Sequence, residues 1–154
     1  MKAINKKPRE NNSNKKETPI NKWPAAANIS GIGVDIIEVS RIKKAIKKYP
    51  CFLKRIYSGS EISYCTSKDN PSVRYTCLAQ RFAAKEAVAK SMGKGFGRYF
   101  SFNEISVENG PDGGPIVVLS GRAKAFCKDR LINSFFISLS ATQGNAVAFV
   151  IAFS

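Results

Sequence analysis

Two carboxylates fall where carboxylates are costly. Asp35 stands between Val34 and Ile36 in the apolar run "ISGIGVDIIEV" (29–39), and Glu86 stands in "RFAAKEAVAKSMGKG" (81–95), where apolar residues recur at helical spacing. At 3.6 residues per turn Glu86 falls inside the arc of Tyr75, Leu78, Ala79, Phe82 and Ala89. A carboxylate on a buried face needs a cation or a set of hydrogen-bond donors. Lys90, one turn beyond Glu86, is the nearest candidate, and as a plain i,i+4 pair it contributes only about 0.2–0.5 kcal/mol. Such a pair belongs on the wet face; at the edge of a core, a site that uses both charges fits better. Asp35 has two readings. It is either a cap for a following helix or a residue left at the end of a strand, and Ser40, just before Arg41, competes for the cap. If Ser40 caps, Asp35 and Glu86 can share one hard divalent cation. Mg²⁺ on one or two carboxylates completes its shell with water and substrate phosphates.

Phosphates need donors. Arg81, Lys85 and Lys90 lie on the same helical run, and the backbone N–H groups of "GKGFG" (93–97) can form a concave anion site. The pattern is neither of the common nucleotide fingerprints. GxxxxGK[ST] is absent, and Gly31 and Gly33 precede Asp35 with no third glycine to open a helix. The chain has no histidine.

The elements that must position these residues read as follows. A strand over 29–39 feeds directly into a helix with Ile42, Ala45, Ile46 and Tyr49 on one face, ended by Pro50. Arg41, Lys44 and Lys48 project together from the other face. Seven basic residues and no acid lie between Arg41 and Arg55, where solubility alone requires only mixed charge. A short helix or turn at Ser60–Cys65 and the loop "SKDNPS" precede the longest helix, about 72–92, which ends at Gly93. The second half alternates: strands at 101–108 and 115–120 around "NGPDGG", a short helix "GRAKAFCKDRL", then the hairpin "SFFISLS" and "NAVAFVIAF" around "ATQGN". The expected class is α+β, a mostly antiparallel sheet packed on the long helix.

Charge and cysteines bound the rest. The 154 residues carry a formal +14, which favours an anionic partner without choosing one. Residues 1–28 hold seven Lys or Arg against Glu10 and Glu17 and lack apolar periodicity, which reads as a flexible basic extension ahead of a domain at 29–154. It has no apolar signal-peptide core, so the expected location is the cytoplasm, with organelle targeting by the extension left open. Cys51, Cys65, Cys77 and Cys127 have no CxxC spacing and are expected to be reduced and mostly buried. No apolar run is long enough to span a bilayer, so no membrane insertion is expected.

In order and spacing, "GIGVDIIEVSRI", "RFAAKEAVAKSMGKGFG", the "GP" at 114–115 and "FISLS" before the last strand resemble the holo-[acyl-carrier-protein] synthases, the small trimeric 4'-phosphopantetheinyl transferases. The resemblance spans roughly 29–154. It implies an Mg²⁺-dependent transfer of phosphopantetheine from coenzyme A to a serine of an acyl carrier protein, in support of fatty-acid synthesis, at a site formed between subunits of a homotrimer. By position, Asp35 and Glu86 match the metal ligands and Lys90 the lysine that meets the diphosphate. Arg81, with Gly93 and Gly95, matches coenzyme A contacts; Lys85 and Pro115 lie in the same motifs and are carried with them, and Lys94, a departure from the family, adds a positive charge near the expected phosphates. Arg41, Lys44 and Lys48 match the surface that docks the acidic carrier. Many members carry a histidine where this chain has Ala141, and a small polar residue where it has Lys94. Two rivals stand beside this reading: a basic nucleic-acid-binding module, which lacks any RNP, KH or zinc-finger pattern, and an inactive scaffold of the same fold.

Overall fold

The computed structural model describes residues 28–154; the extension at 1–27, and the reading of it as flexible, lie outside the described residues. The chain runs β1 (Ile29–Glu38), α1 (Val39–Lys48), α2 (Phe52–Ile56), α3 (Gly59–Thr66), α4 (Pro71–Ser91), β2 (Ile105–Asn109), β3 (Pro115–Leu119), α5 (Gly121–Asp129), β4 (Ser134–Ala141) and β5 (Asn145–Phe153). All pairings are antiparallel. One sheet has the order β1-β5-β4, and β2-β3 form a separate hairpin. This is the expected α+β class. Among the described residues no helix is long and apolar enough to cross a membrane.

Helix α4 is the axis. Asn70 caps it by accepting from the Ser72 N–H (2.8 Å), and Pro71 occupies its first position. Its Ala-rich centre is enclosed on more than one side: Ala79, Ala83, Ala84, Ala87 and Val88 are all fully buried. The sheet covers one flank, α3 and the β2–β3 hairpin another. Small side chains allow that approach. Gly31 and Gly33 of β1 take it furthest, because a Cβ at Gly33 would be driven into the Ala87 carbonyl oxygen and one at Gly31 into that of Ser91. The strand thus lies directly on the helix backbone.

Three expectations are corrected. Ser40 does not cap α1; it lies inside the helix, whose N-cap is Glu38, and its hydroxyl donates to the Glu38 carboxylate (3.2 Å). The strand expected at 101–108 begins only at Ile105. Ser101 and Glu104 form a reciprocal capping box that winds Phe102–Glu104 into a single 3₁₀ turn. Finally, the cysteines are not all reduced. The α3–α4 turn brings Cys65 and Cys77 to a Cα separation of 5.5 Å and they form a disulfide. Cys127 is free and buried, as expected, whereas Cys51 is free and exposed.

Candidate active site

The close approach of β1 to α4 assembles the site. Asp35 pairs in register with Ala148 of β5, and its side chain is on the same face as Gly33 and Ile37, toward α4. There Lys90 Nζ donates to Asp35 Oδ1 (2.8 Å) and to the Val34 carbonyl (2.9 Å). Glu86, one turn earlier on α4, is half-buried. Its carboxyl is held above the usual range by burial and then by the negative charge of Asp35, with Lys90 opposing both. The three residues singled out from the sequence therefore converge. Asp35 caps nothing; it sits mid-strand, four residues before α1.

A second cluster lies at the other edge of the sheet. A recess of about 450 Å³ is lined by Arg81, Tyr64, Lys68, Asn109, Pro115 and Ser138, among others. Arg81 is buried and donates through Nη2 to Asn109 Oδ1 (2.6 Å), while its Nε has no hydrogen-bond partner. Burial pulls this guanidinium below its usual range. Asn109 Nδ2 donates to the Tyr64 hydroxyl (3.2 Å), the largest of the effects that draw the phenol down; Lys68 and Arg81 add to it. A half-satisfied buried cation beside a second cation suits an anion. Of the expected nucleotide contacts, Arg81 and Pro115 meet here. Tyr64, Lys68 and Asn109 were not singled out in the sequence, and nothing in their spacing marks them, because they come from a helix, a loop and a hairpin end.

Two expected phosphate contacts are elsewhere. Lys85 is fully buried and points away, with Nζ paired to Glu61 (2.7 Å) and donating to the carbonyls of Phe102 (3.0 Å) and Ile105. Glu61 also accepts from Ser58 and Val107 N–H groups, so the pair is locked among α3, α4 and β2. The glycine segment is also less open than its sequence implies. The Gly93 and Lys94 amides donate back to the carbonyls of Lys90 and Ala89, closing α4, with Gly93 at φ 68°. Lys94 Nζ lies over the Tyr99 ring (4.7 Å). Gly95 follows in the exposed turn. Arg41, Lys44 and Lys48 are all exposed on α1. Ala141 ends β4, and its side chain offers neither a proton nor a charge.

Comparison with known proteins gives one consistent family. The 4'-phosphopantetheinyl transferase superfamily profile matches residues 31–150. The holo-[acyl-carrier-protein] synthase of Clostridium kluyveri is 44% identical over 123 residues, covering 80% of this chain and 89% of that one. Among solved structures, the holo-(acyl-carrier-protein) synthase of Bacillus anthracis in complex with CoA (3',5'-ADP) is 36% identical with a TM-score of 0.68, covering 84% of this chain and 99% of that one. The holo-ACP-synthase of Plasmodium yoelii is 31% identical with a TM-score of 0.73, covering 84% and 98%. With Asp35, Glu86 and Lys90 gathered on the strand–helix contact that its motifs encode, the chain belongs to the holo-[acyl-carrier-protein] synthases of the 4'-phosphopantetheinyl transferase superfamily.

Proposed function

We propose that the chain transfers 4'-phosphopantetheine from coenzyme A to a serine of apo-acyl carrier protein, releasing adenosine 3',5'-bisphosphate, and that Asp35, Glu86 and Lys90 carry the chemistry. The observation that carries the reading is their convergence: Lys90 is paired to Asp35 at 2.8 Å, and Glu86 lies near enough to both to feel their charges.

The charge of Asp35 opposes ionisation of Glu86, an opposition a bound cation would relieve, and both carboxylates supply the hard oxygens that Mg²⁺ prefers. Mg²⁺ held by one or two carboxylates would take the rest of its shell from water and substrate phosphates. The donor set therefore fits Mg²⁺, with Asp35 and Glu86 as its ligands. Bound there, the ion would neutralise charge on the diphosphate undergoing attack. Lys90, already placed against Asp35 on a largely exposed side chain, swings to the diphosphate and stabilises the leaving bisphosphate. Asp35 also stands closest to the role of base for the carrier serine, since the chain has no histidine and Ala141 supplies none.

The Arg81 recess suits the 3',5'-bisphosphate end of coenzyme A, with the unpartnered Arg81 Nε and the Lys68 ammonium as donors. Arg41, Lys44 and Lys48 suit an acidic carrier, acting mainly on encounter and specificity. A homotrimer is supported by the outer face of the sheet, where Ile32, Val34, Ile36 and Phe149 are 57%, 54%, 66% and 44% exposed.

The test is a single assay. Protein, coenzyme A, Mg²⁺ and an apo-acyl carrier protein are incubated, and the carrier is weighed for the added phosphopantetheine. Transfer that needs Mg²⁺ and is lost in Asp35→Ala supports the reading. Charge reversal at Arg41 and Lys44 should raise KM for the carrier and leave that for coenzyme A little changed. Coenzyme A binding without any transfer would leave an inactive scaffold as the function.

A further inference from the structure

The Cys65–Cys77 disulfide is built into the wall of the Arg81 recess. Cys77 itself lines the recess, Arg81 lies one turn further along α4, and Tyr64 directly precedes Cys65. One jaw of the recess, Tyr64 to Lys68, is tied to α4 by Cys65 near its start and by the Lys68 carbonyl, which accepts from Arg74 Nε, at its end; the other, Thr76 to Arg81, carries Cys77. The jaws meet at the Tyr64 ring, which has the Lys68 ammonium 4.0 Å and the Arg81 guanidinium 5.2 Å from its centroid. Asn109 bonds to both Arg81 and Tyr64. The other end of α3 is secured independently by the buried Glu61–Lys85 pair and the Glu61–Val107 hydrogen bond. Opening the disulfide would therefore loosen the last turn of α3 against α4, with the rest of the helix anchored and the loop after it tied only where the Lys68 carbonyl accepts from Arg74 Nε.

We propose that the Cys65–Cys77 disulfide is a redox clasp on nucleotide binding: closed, it holds Tyr64 and Lys68 against Arg81; open, it weakens the hold on the adenosine 3',5'-bisphosphate portion of coenzyme A. The proposal rests on the assignment of the Arg81 recess to that portion. Opening requires a dithiol reductant, which gives up two electrons and two protons. The Sγ–Sγ bond breaks, Cys65 and Cys77 become thiols, and the reductant closes to its own disulfide through a mixed-disulfide intermediate. Both cysteines are buried and Cys77 lines the recess, so the recess that the nucleotide fills is also a route by which a thiolate reaches the Cys77 sulfur. Linkage then makes the effect reciprocal. If opening weakens the nucleotide by some factor, bound nucleotide disfavours opening by the same factor.

The experiment uses the full chain, air-oxidised or reduced with dithiothreitol, with adenosine 3',5'-bisphosphate as the probe. Alkylation after denaturation should find two thiols, Cys51 and Cys127, before reduction. Reduction should weaken the probe's Kd and raise KM for coenzyme A by about tenfold with kcat kept, and the Cys65→Ala/Cys77→Ala variant should match the reduced form. Saturating probe should slow disulfide opening. Equal Kd in the two forms overturns the clasp, as does finding all four thiols free before reduction. So does loss of near-ultraviolet dichroism on reduction, which would make the link a staple of the whole fold. Arg81→Ala in the oxidised protein separates the premises. Lost affinity there, with none lost on reduction, sinks the clasp alone; unchanged affinity removes the recess assignment and the clasp with it.

Discussion

At the scale of single residues, Glu86 sits in surroundings that cost stability and suit the catalytic role proposed for it. Glu86 is kept half-buried beside Asp35, and both burial and like charge work against its ionised form. A neutral amide of the same shape removes that opposition. Glu86→Gln is therefore expected to abolish transfer, by at least about a thousandfold, while raising the Tm of the metal-free protein by roughly 2–4 °C. Melting curves in a chelator, set beside the transfer assay, read both effects. A variant that loses transfer and melts lower would make Glu86 a structural residue instead. Lys85, its neighbour in sequence, shows why the distinction has to be made residue by residue. One position along α4 changes the direction of a side chain by about 100°, and Lys85 disappears into the interior with Glu61 while Glu86 remains at the site.

At the scale of elements, the glycines of β1 decide where Asp35 goes. Any side chain at Gly33 meets the Ala87 carbonyl, which is fixed in the α4 ladder and cannot turn aside. Gly33→Ala should cost about 2–3 kcal/mol by forcing strand and helix apart, lowering Tm by roughly 10 °C. It should also reduce kcat, because Asp35 moves off Lys90 and Glu86. A variant with unchanged melting and transfer would show that β1 does not rest on α4 as described. The strand, the long helix and the last hairpin were legible from apolar periodicity, and the carboxylates from their intrusion into it. The parts that were not legible depend on contacts between distant segments. Glu61 gives no sign in sequence that it will meet Lys85 across two helices. Cys65 and Cys77 lack a diagnostic spacing and are paired only by the turn between α3 and α4. Ser40 looked like a cap because its type is right, yet the helix begins one residue before it.

At the scale of the whole molecule, the two halves of the proposed site are on opposite edges of one sheet. Asp35 belongs to β1 and the Arg81 recess abuts Ser138 of β4, with β5 between them. An assembly in which the β1 edge of one copy faces the β4 edge of the next would join the halves, and head-to-tail contacts of this kind close into a ring where the rotation between copies divides a full turn. The apolar outer face supplies a reason to assemble: Val34, Phe149 and Ser138 share one row across the three strands, flanked by Ile32–Ile151 and Ile36–Val147. This arrangement predicts complementation between two inactive proteins. Asp35→Ala retains Arg81, and Arg81→Ala retains Asp35. If each site draws Asp35 from one copy and Arg81 from its neighbour, mixed rings made by co-expression contain intact sites wherever the two variants meet in the right order. With equal amounts of each, roughly a quarter of wild-type transfer should return, although neither variant alone has more than a trace. A site contained in a single chain gives no such recovery, because every copy then carries one lesion. Ile36→Arg, which places a charge in the outer face, should abolish the recovery along with the assembled mass, and a folded but inactive monomer would account for both losses together.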